Sequence, residues 1–448
     1  MSSMTNLMVS KQRIRTIFKL AVPVGIALSS NIVMSVIDLA MVGRLGTKAI
    51  AAVGLSVFSS TLVLGFMAGI APGVQGLAAR RRGEGSTESE CLPLNAGLVI
   101  ALVAGVPLTV VCCLLTPAFF SIISSDPEVT RMGIPFLRIL YLGIVAAGMN
   151  AGFKGHWSGV EKPKVYMVIV VFMVLLNAAL NYVLIFGHFG VSALGVTGAA
   201  IGTVSASYVG VIANSLIAYG WFKKDGFAKA KPELSVLKSV ARLGAPSAVQ
   251  QLFFAAGYTV FLWLVGRVGT AELAAATVLV RITMILILLA TSLGIASATL
   301  VSKNVGAGDI AGAAQWGWDA GKLGVVGISL LGVPLFLFPK LVLSLFLTDP
   351  HTISIAIDPL RLVAATTGIG SLLHIFAYTL YSVGDGHRVN VVALGMQWLL
   401  FLPAVWIVGP YSHHGLLQIW LVQMTYGSLA TVLVTAIWID GRWKRIKI

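Results

Sequence analysis

Asp38 lies in the run Leu20–Val42, which is otherwise free of charge. A carboxylate at membrane depth costs about 2.5–3.5 kcal/mol on insertion scales, so such a residue marks a functional site unless a base from a neighbouring helix pairs with it. On a helix, positions i−4 and i−7 share a face. This puts Met34 and Asn31 beside Asp38 and gives the segment a polar strip. More oxygen-bearing side chains follow in later apolar runs. Asn177 and Asn181 are spaced i,i+4 and also share a face, Thr203 sits among small residues in GVTGAAIGTVSASY, and Asn150 closes the fourth run. One carboxylate among amides and a hydroxyl suits a proton or a hard cation such as sodium. For the amides and Thr203 taken singly, interhelical hydrogen bonding is the structural alternative. Asn31, Met34 and Asn150 are the candidate lining of a substrate cavity.

Pro23 lies four turns before Asp38 on the same run. A proline inside a helix removes a backbone hydrogen bond and favours a kink. It is either a static bend or a hinge whose angle depends on the charge of Asp38. Other polar residues carry less. Asp358 and Arg361, at i,i+3, are expected to pair with each other, and His374 reads as a core histidine. His413 and His414 lack further ligands at metal spacing, so no metal site is expected. The chain has no phosphate-binding glycine loop and no zinc-protease motif, so neither an enzyme nor an ATP-driven pump is expected.

The elements that position these residues are set by hydropathy. The 448 residues are 57% hydrophobic and only 10% charged, against about 25% charged in an average soluble domain. Mean hydropathy is +0.93. This is an all-α polytopic membrane protein, built against lipid and neighbouring helices. Twelve runs reach the roughly 20 apolar residues that a span needs. They fall near 17–42, 50–79, 93–123, 130–154, 164–187, 195–221, 240–266, 272–303, 320–347, 353–382, 389–410 and 415–438. The first has no small-residue cleavage site and reads as a retained helix rather than a signal peptide.

The net charge of +15 would suggest nucleic acid in a soluble protein. Here 23 of the 31 Lys and Arg residues fall on the side that holds both termini and the basic linker. The positive-inside rule puts that side in the cytoplasm and explains the charge without nucleic acid. Cys91, Cys112 and Cys113 make neither a disulfide framework nor a metal cluster.

The two halves echo each other. KLAVPVGIAL (19–28) matches RLGAPSAVQQ (242–251), VGRLGT (42–47) matches VGRVGT (265–270), and DPEVTRMGIPFLR (126–138) matches DPHTISIAIDPLR (349–361), all at an offset of 223. The chain divides into a six-helix lobe at 1–221, a cytoplasmic basic linker at 222–239 and a second six-helix lobe at 240–448. An even number of spans precedes the second lobe, so the repeats are parallel, an arrangement found in secondary transporters. Aligned this way, Asp38 corresponds to Phe261, and the acid belongs to one half only.

With these features in hand, the sequence resembles the multidrug and toxic compound extrusion family over about residues 15–440, and most closely its prokaryotic DNA-damage-inducible subgroup. The carriers are the twelve-span duplication, the paired VGRLGT and VGRVGT, Pro23 with Asp38, LLNAALN in the fifth run and GAAIGT (198–203) in the sixth. The resemblance implies a cation-coupled exporter in the inner membrane, with two pseudo-symmetric lobes around a cavity. Such a protein exchanges a proton or sodium ion for lipophilic, often cationic, drugs or toxic compounds and needs no cofactor. It implies a monomer in the lipid bilayer. In that family an N-lobe cation site is formed at the positions of Asp38, Asn177, Asn181 and Thr203. Many members carry aspartate where Asn181 stands. Losing that carboxylate lowers the charge that holds sodium, whereas a proton needs one titratable group. The sodium-coupled alternative keeps the same residues. A lipid-linked-sugar flippase of the wider superfamily would need cavity-facing cations, for which the spans offer chiefly Arg138, Arg281 and Arg361.

Overall fold

A computed structural model describes residues 9–86, 90–223, 226–228, 232–412 and 414–446. Part of the expected basic linker (224–225 and 229–231) and His413 lie outside the described residues. Twelve helices are long and apolar enough to cross a membrane. The first six are α1 (Lys11–Gly43), α2 (Thr47–Gly83), α3 (Leu92–Ile123), α4 (Pro127–Gly159), α5 (Pro163–Phe186) and α6 (Val196–Phe222). The second six are α7 (Leu234–Gly266), α8 (Thr270–Gly306), α9 (Ile310–Leu337), α10 (Pro350–Val383), α11 (Gly386–Tyr411) and α12 (Leu416–Arg445). No strand occurs among the described residues.

Local chemistry explains the boundaries. Asp126 caps α4 by accepting from the amides of Glu128 and Val129, and Asp349 caps α10 through Thr352; each is followed by a proline at the first helical position. A side-chain acceptor before the first turn satisfies amides that lack intrahelical partners, and proline there loses nothing. The repeated Asp-Pro is therefore a repeated helix start. Gly187, in the left-handed region at φ 76°, ends α5. The ninth span differs from its expected 320–347. It starts after the Asp309 cap and ends at Leu337, with a separate turn at Pro339–Leu343. Hydropathy placed it late because the first turns of α9 carry Asp319, whose charge is met in the fold by Arg13 at 2.8 Å.

The chain forms two compact units, Ile26–Leu252 and Met1–Gly25 with Phe253–Ile448. The divisions fall inside α1 and α7. In the second of these units the first half of α1 is held by Ile17, Leu20 and Ala21, packed with Leu293, Ala296 and Leu300 of α8 and Ile375 of α10. The Arg13 guanidinium also lies 3.9 Å from the centre of the Trp316 ring. In the unit Ile26–Leu252, Val42 at the end of α1 packs with Val53, Phe136, Ile185, Val196 and Ala200. The two ends of α1 are thus fixed in different units.

Candidate functional site

Within the unit Ile26–Leu252, α1, α5 and α6 bring four side chains together. Asn177 and Asn181 lie one turn apart on α5 and are fully buried. Asp38, half-buried on α1, accepts through Oδ1 from Nδ2 of Asn181 at 2.6 Å. The same amide nitrogen approaches Oδ1 of Asn177 at 3.5 Å. Nδ2 of Asn177 donates to Oγ1 of Thr203 at 3.1 Å. The Thr203 hydroxyl donates to the Ala199 carbonyl at 2.9 Å and also comes within reach of the Asp38 carboxylate. The sequence-predicted set Asp38, Asn177, Asn181 and Thr203 is therefore one connected network. No Lys or Arg pairs with Asp38 among the described residues, so the acid is held by amides and a hydroxyl.

A fifth residue shapes this network. Oδ1 of Asn181 is buried without a hydrogen-bond partner. It abuts Gly202, where any Cβ would overlap it. The missing side chain gives Asn181 the room to turn its N–H groups toward Asp38. The small residues of GAAIGT were a signal for close approach of α5 and α6, but not for this particular contact.

The other candidates fall elsewhere. Asn31 is exposed and donates to the Ala27 carbonyl of its own helix at 3.2 Å. Met34 is half-buried on α1. Asn150 is buried and belongs to a second network. It donates to the Ser207 carbonyl at 3.0 Å and accepts from Asn214 at 3.4 Å, and Asn214 accepts from Nε1 of Trp157 at 2.8 Å. These bonds join α4 to α6, and Asn214, one polar residue in an apolar run, carries no sequence signal for them. Pro23 is buried within an unbroken α1, two residues before the chain passes from one unit to the other. Of the three span arginines, Arg138 donates to the Cys113 carbonyl at 3.2 Å, and Arg361 pairs with Asp358 at 3.3 Å as its spacing predicts.

Chemically, the network offers one titratable oxygen pair surrounded by N–H and O–H donors. Asp, Glu, His and Cys residues do not gather in threes anywhere among the described residues.

The sequence profile of the MatE family matches the chain twice, at residues 23–183 and 246–407. The two matches keep the repeat's register. Probable multidrug resistance protein NorM of Thermotoga maritima is 24% identical over 446 residues, covering 96% of this chain and 93% of the relative. The Bradyrhizobium diazoefficiens protein of the same name is 28% identical over 418 residues, covering 90% and 88%. Among solved structures, the outward-facing conformation of a multidrug resistance MATE family transporter of the MOP superfamily superposes with a TM-score of 0.87 at 21% identity, covering 98% of this chain and all of that one.

Proposed function

Given that this chain belongs to the MatE family, a multi-pass membrane family, we propose that it is a proton-coupled antiporter that exports lipophilic, often cationic, small molecules, with Asp38 as the proton carrier. Export of drugs is suggested by the relatives named multidrug resistance proteins, which align along nearly their whole length. The choice of a proton rests on the observation that Asn181 and Asn177 turn amide N–H groups, not carbonyl oxygens, toward Asp38 and Thr203. A sodium ion needs several oxygen lone pairs directed at one point. Here Oδ1 of Asp38 and Oδ1 of Asn177 both face the Asn181 amide nitrogen, and Oδ1 of Asn181 is turned to Gly202. A protonated Asp38 keeps one carbonyl oxygen for Asn181 and gains an O–H, so both forms fit the same surroundings.

Exchange then follows from competition. A ligand shifts a two-state equilibrium only by its differential affinity for the two states. Substrate favours one charge state of Asp38 and the proton the other. Helix α1 carries that difference along its length, since its first half belongs to one unit and its second half, with Asp38, to the other. Pro23, next to the changeover, is the expected point of bending. The distribution of Lys and Arg supports cytoplasmic termini and a cytoplasmic linker, and the family resemblance supports an inner-membrane monomer.

Efflux of a fluorescent cation from everted vesicles tests the assignment. Asp38→Asn is expected to abolish proton-driven efflux while the protein still reaches the membrane. Undiminished efflux would remove Asp38 from the mechanism.

A further inference from the structure

Lys154 stands in the last two turns of α4, inside the unit Ile26–Leu252. From Asn150 to Val160 every residue is buried except Lys154, which is half-buried. Side chains on a lipid-facing side are exposed, as Leu114 and Leu115 of α3 are at 72% and 58%. A stretch buried all round is not such a side, so Lys154 does not project into lipid. Nor is it placed to snorkel to the headgroups. Helical side chains lean toward the helix N-terminus, which carries the Lys154 stem toward Asn150 and away from the nearer end of α4.

Lys154 makes no ion pair, no hydrogen bond and no contact over an aromatic ring among the described residues. Two other cations at this end of α4 are engaged. Arg82 faces Glu90 and Glu161 at 3.4 Å each, and Lys162 lies 4.3 Å from the centre of the Trp221 ring. An uncompensated ammonium drawn from water is costly, and an ionisable side chain within a span marks a substrate or ion path.

Hydrogen bonds between α4 and α6 place Lys154 relative to Asp38. Asn150 meets Ser207, and Trp157 meets Asn214. Both pairs are 57 apart in sequence, so the two helices run parallel and in step. Lys154 is then level with Val211, two turns beyond Thr203 of the Asp38 network. At 1.5 Å per residue this is about 12 Å along the helices. One unit thus holds a carboxylate answered by no base and an ammonium answered by no acid, and the two do not pair with each other.

We infer that Lys154 is a specificity-determining residue for the exported compound, which carries a carboxylate or similar anionic group as well as a cationic one. The Lys154 ammonium, a compact charge with three donors, holds the anionic group, and the cationic group lies toward Asp38. This deepens the proposed export function and rests on it. A zwitterion answers both charges at once. A simple cation leaves the ammonium unpaired and adds a like charge to the unit.

The test measures equilibrium binding of two dyes to full-length protein in nanodiscs at fixed pH. Rhodamine B is a zwitterion with a free carboxylate, and its ethyl ester is a cation on the same ring system. The wild type is expected to bind rhodamine B about tenfold more tightly than the ester, the range of one charge-assisted hydrogen bond. In Lys154→Met and Lys154→Gln the ratio is expected to fall to about one through loss of rhodamine B affinity. In Lys154→Arg, which keeps the charge, the preference is expected to remain. Asp38→Asn is expected to weaken both dyes and keep the ratio. A ratio near one in the wild type, a tenfold ratio that survives in both neutral Lys154 variants, unchanged affinity for both dyes in Asp38→Asn, or no saturable binding of either dye would each overturn the inference. Binding is read without a proton gradient. Loss of proton-driven flux with the ratio intact would therefore count against the proposed coupling and not against Lys154.

Discussion

Nδ2 of Asn181 lies 2.6 Å from Oδ1 of Asp38, across 143 positions of sequence. Asn181 donates to Asp38 and leaves its own carbonyl oxygen unpartnered against Gly202. The acid that the sequence marks as costly is thus answered by a neutral amide rather than by a base. This lets the carboxyl group gain and lose a proton without stranding a buried cation.

Asn181→Asp places a second carboxylate beside the first. Affinity for a hard cation rises with the number of charged oxygens at its site. Sodium stimulation of transport, absent in the wild type, is expected in the variant. Transport assays at fixed pH with and without sodium check it. Sodium-independent transport in Asn181→Asp would mean that charge count at this network does not select the ion.

Gly202→Ala drives a methyl group into Oδ1 of Asn181. Overpacking of this kind costs about 1–3 kcal/mol, and here its first effect is to turn the amide away from Asp38. Loss of transport with nearly unchanged expression is expected. Gly220→Ala, on the same helix with nothing within 4 Å of the added Cβ, is the control and is expected to transport normally.

Arg13 and Asp319 hold the first half of α1. Their side chains are 18% and 7% exposed. Breaking a largely buried pair from one side costs about 3–5 kcal/mol, whereas replacing both partners by apolar residues is often neutral. Arg13→Met and Asp319→Leu are each expected to lower the unfolding temperature in detergent, and the double variant to recover most of the loss. Additive losses would show that the two residues act separately.

Asp349 lies outside the spans, and its carboxylate accepts from the Thr352 hydroxyl and amide at 2.6 and 2.8 Å. These bonds hold it below the usual carboxylate range. The folded protein binds this proton less readily than the unfolded chain, so the stabilisation is complete above the unfolded value and is lost as pH falls through the folded one. The stability gap between wild type and Asp349→Ala, followed by thermal unfolding, is expected to be full at pH 7 and to close under acid conditions. Asp349→Asn, which keeps an acceptor, is expected to lose less at pH 7.

Much of this was legible in the sequence, for physical reasons that differ by residue. The twelve spans follow from the length of apolar runs, whereas the helix starts at Pro127 and Pro350 precede the expected 130 and 353 because hydropathy does not register the Asp-Pro caps. The gathering of Asp38, Asn177, Asn181 and Thr203 came from family resemblance joined to helical spacing, because no single motif states that α1 meets α5 and α6. Two things were illegible. The pairing of Asp319 in α9 with Arg13 joins residues more than three hundred positions apart in the chain. The contact of Gly202 with Asn181 depends on rotamer and crossing distance.

The central claim is that Asp38 carries the proton that drives export. Flux of a lipophilic cation in proteoliposomes, with proton and sodium gradients imposed separately, tests it most directly. Wild-type flux is expected to follow the proton gradient, to ignore a sodium gradient at equal pH, and to vanish in Asp38→Asn. Flux driven by sodium alone in the wild type, or proton-driven flux that survives in Asp38→Asn, would contradict the claim.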